Sequence, residues 1–318
     1  MKKRWVLKNK ADEMLVENLS RELGIHKILV QLLAQRGVST FEEAKKFFRP
    51  ELSDLHSPFL MQDMEKAVSR IEQAIQNDER ILVYGDYDVD GTTAVALMYG
   101  FLNSFYSEID YYIPDRYAEG YGISTQGIDF AADNDFKLII ALDCGIKSVD
   151  KIDYANKKGI DFIICDHHRP GDKIPEAIAV LDPKRNDCSY PFKELTGCGI
   201  GFKLIQAFAE RNDIEFSDLL IYLDLVAVSI AADIVPIIGE NRILAHFGLQ
   251  QLNRNSREGF KAMIEIANFK KDKELTISDV VFIIAPRINA AGRLESGKKA
   301  VELLLSDTAH EQLSPARI

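Results

Sequence analysis

A chain of 318 residues has room for one large or two ordinary domains with a sizeable core, and 47% hydrophobic with 28% charged residues is the balance of a soluble globular protein. The formal net charge of -10 weighs against a nucleic-acid binder that relies on overall basic excess, and the basic start "MKKRW" lacks the apolar run of a signal peptide. Cys144, Cys165, Cys188 and Cys198 show no CxxC spacing, so reduced thiols in a cytoplasmic protein are expected. The most apolar long segment, Leu219 to Ile238, is broken by Asp224 and Asp233, which suits a buried helix better than a membrane span.

Residues 1 to 75 read as a helical lead-in. Thr40 to Glu43 has the form of a capping box before "AKKFF", and Met64 to Gln76 places apolar residues at helical spacing. The pattern then changes. "ILVYG" (81–85), "IDYYI" (109–113), "LIIALD" (138–143) and "DFIIC" (161–165) read as buried strands, and helical segments lie between them at 92–105 and 147–159. This alternation predicts an α/β fold with a mainly parallel, doubly wound sheet, whose ligands bind beyond the carboxyl ends of the strands. Past Gly197 the chain turns helical through "GIGFKLIQAFAER" and "FSDLLIYLDLVAVSIAAD". The expected division is a lead-in over 1–75, a catalytic domain over 76–240, and a helical linker over 241–318 that begins a second half.

Chemistry-bearing residues gather at the predicted strand ends. Asp86, Asp88 and Asp90 follow the first strand at every second position, and on an extended segment such residues share a face. Carboxylates that close repel one another unless cations neutralise them. Gly91 then permits a tight turn, and Thr92 is positioned to cap the next helix. A calcium-type loop or a solvated acidic turn is the bland alternative, but the segment lacks the glutamate that closes an EF-hand loop. Asp143 ends the third strand before Gly145, and taken alone such an aspartate is often a helix cap. Asp166-His167-His168 ends the fourth, and adjacent side chains on a strand face opposite ways, so both imidazoles cannot enter one core. Asp233 ends an apolar helix, where a carboxylate opposes the helix dipole unless a cation compensates; its plain alternative is a carboxylate facing water. Asp224, in mid-helix, suits a structural role better. Carboxylates with imidazole and no thiolate suit Mn²⁺ or Mg²⁺, and there are enough of them to hold two ions ~4 Å apart, the geometry used in phosphoester hydrolysis.

"VYGDYDVDGTTA", "ALDCG", "CDHH" and "AADIVP" occur in the order of the four motifs of the DHH phosphoesterase superfamily, and the fuller text resembles its RecJ-type branch of single-strand-specific 5′→3′ exonucleases. "LLAQRGVSTFEEAKKFF", "YIPDRYAEGYG", "GCGIGFKL" and "APRINAAGRLESGKKAVELLL" extend the resemblance over nearly the whole chain. The resemblance implies Asp86, Asp88, Asp90, Asp143, His167 and Asp233 as ligands of two Mn²⁺ or Mg²⁺ ions, with Asp143 bridging. It implies His168 facing the scissile phosphate and Asp166 orienting the histidine pair. Arg116, Arg287, Asn289 and Arg293 match positions that contact the DNA backbone or its terminal phosphate, and Tyr117 and Tyr121 would stack on bases or pack in the core. The implied activity is release of nucleoside 5′-monophosphates from single-stranded DNA in repair and recombination, with a single-strand-binding protein and a helicase as partners and no membrane. Family-like text stops near Thr308, so a longer family protein truncated in its second half is expected. Two rival readings are a phosphodiesterase or pyrophosphatase on small phosphoesters, which should lack the lead-in and "APRINAAGR", and a non-catalytic scaffold.

Overall fold

The computed structural model describes residues 4–269, 273–294 and 297–306, without the side chains of 292–294. The chain forms two units that divide between Leu55 and His56. The first holds α1 (Glu13–Leu23), α2 (Lys27–Ala34) and α3 (Phe41–Phe48). Asp12 caps α1 by accepting the Leu15 N–H at 2.9 Å. The expected capping box opens α3: Thr40 Oγ1 accepts the Glu43 N–H at 3.2 Å, and Glu43 Oε2 accepts the Thr40 N–H at 3.1 Å. Val16, Leu19 and Val30 form one small core, and Leu33, Val38 and Ala44 another.

The second unit opens with α4 (Met64–Gln76) and then alternates β1 (Arg80–Gly85), α5 (Val89–Asn103), β2 (Ile109–Tyr112), α6 (Thr125–Asp133), β3 (Phe136–Leu142), α7 (Val149–Lys157) and β4 (Asp161–Cys165). Every pairing is parallel, and the order is β2-β1-β3-β4-β5, with β5 at Ala179–Leu181. Val83, Ile140 and Ile163 lie side by side in register. Leu82, Tyr84, Ile139, Ala141, Phe162 and Ile164 share the face covered by α6 and α7. Contacts from α4, α5 and α8 (Gly197–Arg211) reach β1, β3 and β4, so the strands are buried and read as unbroken apolar runs. β5 was not anticipated; three residues paired only to β4 are too short for a periodic signal.

The remaining elements are α9 (Leu223–Ala232), α10 (Gly239–Arg254), α11 (Glu258–Ile266), α12 (Ile277–Asp279), α13 (Ala285–Leu294) and α14 (Gly297–Leu305). The expected single helix from Phe216 differs: its first seven residues, Phe216–Tyr222, wind as a 3-10 helix before α9 begins. A π turn over Val280–Ile284 leads into α13, where Pro286 has no N–H to give the preceding turn and the helix widens instead. Asp224 and Arg257 form a buried bidentate pair at 2.9 and 2.8 Å, and Arg257 also donates to the Leu304 carbonyl at 2.9 Å, tying α9 to α14. Among the described residues, no helix is long and apolar enough to cross a membrane, and the four cysteines are buried and unpaired.

Candidate metal centre

The acidic segment after β1 is bent, so alternate residues on an extended chain do not explain its geometry. The backbone turns at Tyr87 and Asp88, and α5 begins at Val89. The helix cap is Asp88, whose Oδ1 accepts the Gly91 N–H at 3.0 Å; the expected cap, Thr92, lies within the first turn and donates to the Asp88 carbonyl at 2.7 Å. Gly91 makes no tight turn either. A Cβ there would lie 2.4 Å from the Asp86 carbonyl oxygen, so only glycine lets the helix start fold over the strand end. Asp86 is fully buried and accepts N–H bonds from Tyr87 at 2.7 Å and Gly122 at 2.8 Å.

Asp90 is drawn inward instead. Its Oδ2 accepts the Gly197 N–H at 2.7 Å, and its Oδ1 accepts the Cys198 N–H at 2.8 Å and the Ser229 hydroxyl at 2.7 Å. The free N–H groups and positive dipole end of α8 thus hold this carboxylate, and Ser229 brings in α9. Ser229 Oγ also stands 2.6 Å from Oγ1 of Thr196, the N-cap of α8. At Gly197 a Cβ would lie 2.5 Å from the Asp143 Cβ, so a side chain there would push α8 off the centre. Neither Gly197 nor Ser229 was singled out from sequence. The glycine-rich "TGCGIG" carried a signal for the first, whereas nothing local marks the second.

Asp143 follows β3 with φ +59, and its N–H still donates to the Cys165 carbonyl at 2.8 Å. Burial comes first among the causes that push its carboxyl well above the usual range, followed by the charges of Asp90 and Asp88. Burial likewise lifts Asp86 to about 7 and Asp233 to about 6, the latter with help from Asp90. Asp88 is also raised, mainly by burial. Asp233 is the C-cap residue of α9, and Ile234 after it takes φ +58, a costly backbone for a β-branched residue and one found beside functional sites.

At the end of β4 the two histidines part company. His167 turns inward, its Nε2 3.1 Å from Asp143 Oδ1 and 3.7 Å from both Asp90 Oδ2 and Asp233 Oδ2. His168 is more open, with its side chain 42% exposed, and Asp166 Oδ1 holds its Nδ1 at 2.7 Å. That bond is the main reason the His168 pKa is raised. Asp166 accepts backbone N–H bonds from Ile146, His167 and His168. Burial raises its carboxyl, but the bond to the His168 ring and the charge of that ring, joined by the Ile146 and His168 N–H groups, outweigh burial and keep it below the usual carboxylate range. The expectation that Asp166 orients both rings is therefore corrected: it binds the ring of His168 but only the backbone of His167, whose buried Nδ1 has no hydrogen-bond partner among the described residues.

Two sets of donor atoms each lie within 4.8 Å of one another: Asp143, His167 and His168, and Asp90, His167 and Asp233. Asp86 and Asp88 are not in either set, but both feel the charge of His168, and Asp88 that of Asp90. Tyr121 meets the His168 ring edge-on at 6.2 Å and the Tyr87 ring at 6.0 Å, and the Arg116 guanidinium stands 5.2 Å over Tyr87, placing both beside the acidic bend. Tyr117 is 84% exposed, which excludes its core-packing alternative. Arg287 donates to the Ile283 carbonyl at 2.7 Å, in the π turn that precedes its own helix. Asn289 is half-buried on the same helix, which touches α5 and α9, and the side chain of Arg293 lies outside the described residues. Asp224 is occupied by Arg257 and belongs to the scaffold.

Residues 80–230 match the profile of the DHH family, N-terminal domain. The chain is 40% identical to the single-stranded-DNA-specific exonuclease RecJ of Bacillus subtilis (strain 168), over 98% of this chain and 38% of that protein. It is 38% identical to the Escherichia coli (strain K12) protein of the same name, over 89% of this chain and 50% of the relative. The crystal structure of RecJ in complex with Mn²⁺ from Thermus thermophilus superimposes with a TM-score of 0.79 at 28% identity, covering 96% of this chain and 43% of that one. The chain thus spans half or less of the length of these relatives. Sequence and fold agree over the strands and turns that carry the cluster, and through residues 80–230 the chain belongs to the DHH family.

Proposed function

We propose that this chain is the metal-binding part of a single-strand-specific exonuclease, which hydrolyses DNA from the 5′ end to nucleoside 5′-monophosphates. The observation that carries the reading is the buried His167 ring among Asp143, Asp90 and Asp233. Mutually repelling carboxylates are retained in a buried place at a cost that bound cations remove. The donor set fits a hard divalent ion: oxygens with one inward imidazole, and a buried Asp143 Oδ1 that has no hydrogen-bond partner among the described residues. Asp86, Asp88, Asp90, Asp143, His167 and Asp233 would hold two Mn²⁺ or Mg²⁺ ions, in keeping with the Mn²⁺ complex of the Thermus relative. When bound, such a pair supplies Lewis acidity at a phosphoryl oxygen and lowers the pKa of water.

The protein's own groups do the rest. Asp166 fixes the His168 ring through Nδ1, which leaves Nε2 uncommitted and raises the pKa of the imidazole. A partly exposed imidazole beside the acidic cluster is placed to hold the scissile phosphate and share its developing charge. Arg116, Arg287, Asn289 and Arg293 are the residues for the strand's backbone and end phosphate, and Tyr121 and Tyr117 offer faces for bases. The cellular setting is cytoplasmic repair and recombination, where a helicase and a single-strand-binding protein would present the substrate.

The test is digestion of 5′- and 3′-labelled single strands with Mn²⁺, alongside metal analysis of variants. His168→Ala should lose most turnover and keep its metal, whereas Asp143→Ala should lose both. Near-normal turnover in His168→Ala, or loss of nucleotides from the 3′ end first, would overturn the reading.

A further inference from the structure

Beyond the ends of β4 and β5, starting at the residue after His168, lies a cavity of about 480 Å³ lined by Arg169, Pro170, Gly171, Lys184, Asn186 and Glu194. None of these residues was singled out from sequence. Their neighbours show how most cations in this region are used: Arg185 is paired with Asp63 at 2.7 Å and Asp187 at 2.6 Å, and Lys193 donates to the Cys188 carbonyl at 2.8 Å. Arg169 and Lys184 differ. Among the described residues, neither side-chain cation has an ion-pair or hydrogen-bond partner; Asp182, two residues before Lys184, accepts its backbone N–H and feels its charge without a direct contact to the ammonium.

Two cations, an amide and a carboxylate, with one proline and one glycine, line a polar recess with no aromatic side chain. Such a lining suits the tetrahedral oxygens of a phosphodiester and offers nothing for a base to stack on. Arg169 adjoins His168 in the chain, so their Cα atoms are ~3.8 Å apart. A strand whose reacting phosphate meets His168 therefore brings a neighbouring phosphate within reach of the recess.

We infer that this recess is a backbone-phosphate subsite, in which Arg169 and Lys184 hold the phosphate next to the reacting one and Asn186 donates a further hydrogen bond. The inference rests on the proposed nuclease reading and deepens it by giving the strand a path along the β4–β5 side of the centre. It also shows how a chain of net charge -10 can hold a polyanion: the charge is arranged locally. Glu194, in the same wall, opposes the two cations and sets the affinity below its maximum.

The experiment measures binding of a 3′-fluorescein oligothymidylate to the chain in Ca²⁺ by anisotropy, between ~50 and ~200 mM salt, with strand length verified on a gel. Arg169→Ala/Lys184→Ala should weaken binding at least tenfold and reduce the slope of log K against log salt by about 0.7, the share of one neutralised phosphate on a single strand. Arg169→Lys/Lys184→Arg should restore the slope, and Glu194→Gln should tighten binding. An unchanged slope and Kd in the alanine variant, with the wild type still binding and cleaving, would overturn the subsite alone. Weaker binding in Glu194→Gln would do the same. A wild-type chain that binds no single strand would remove the nuclease reading as well.

Discussion

Asp224 and Asp233 are two acids nine positions apart on the same apolar stretch, and exchanging each for asparagine separates scaffold from centre. Asp224 faces Arg257 through bonds of 2.9 and 2.8 Å, and the two side chains are 1% and 3% exposed. Asp224→Asn leaves a buried guanidinium without its counter-charge. Breaking a buried pair costs about 3–5 kcal/mol, and one retained neutral hydrogen bond returns about 1 kcal/mol, for a net loss of roughly 2–4 kcal/mol. The Leu304 and Ile221 carbonyls, at 2.9 and 3.2 Å, keep Arg257 from leaving its pocket to find water. Asp233 has the opposite balance. Burial and the charge of Asp90 already disfavour its ionised form, so Asp233→Asn relieves repulsion in the metal-free chain. Urea unfolding in EDTA should show a large loss for Asp224→Asn and none for Asp233→Asn. Calorimetric titration with Mn²⁺ should show the reverse, at least tenfold weaker binding for Asp233→Asn alone. Loss of Mn²⁺ binding in a fully stable Asp224→Asn protein would refute this division.

The same cluster sets a pH dependence. Burial lifts Asp86 to about 7 and Asp233 to about 6 from an ordinary value of 3.8. Folded pKa values above the unfolded ones contribute stability that is complete below pH ~3.8 and is lost as pH rises through ~6 to ~7. The thermal midpoint in EDTA should therefore fall between about pH 5 and 7.5, and Mn²⁺ should abolish the fall; a metal-free midpoint that climbs over this window would contradict mutual repulsion. Ser229→Ala removes the hydroxyl that donates to Asp90 at 2.7 Å. Losing such a support for a ligand typically costs 10–100-fold in metal affinity, so Mn²⁺ titration of a normally folded Ser229→Ala protein should show a drop of that order, and unchanged affinity would deny Ser229 its positioning role.

Much of this protein follows from short-range pattern. Strands buried on both faces must be apolar throughout, so "ILVYG", "LIIAL" and "DFIIC" announced β1, β3 and β4, and the acids and histidines beyond them marked the edge to inspect. The capping box at Thr40 and the helix over Met64–Gln76 are equally local and equally legible. Only tertiary structure made Asp86 to Asp90, Asp143 and His167 neighbours, because β1, β3 and β4 are adjacent in the sheet although separated along the chain. Close approach decided the rest. The backbone of Asp86 requires glycine at 91, the start of α8 grips Asp90 while Gly197 clears Asp143, and Arg257, from the start of α11, removes Asp224 from the centre. Periodicity reports which face of an element is buried. Which distant group will meet that face is a property of packing, and it appears only when the chain has closed on itself.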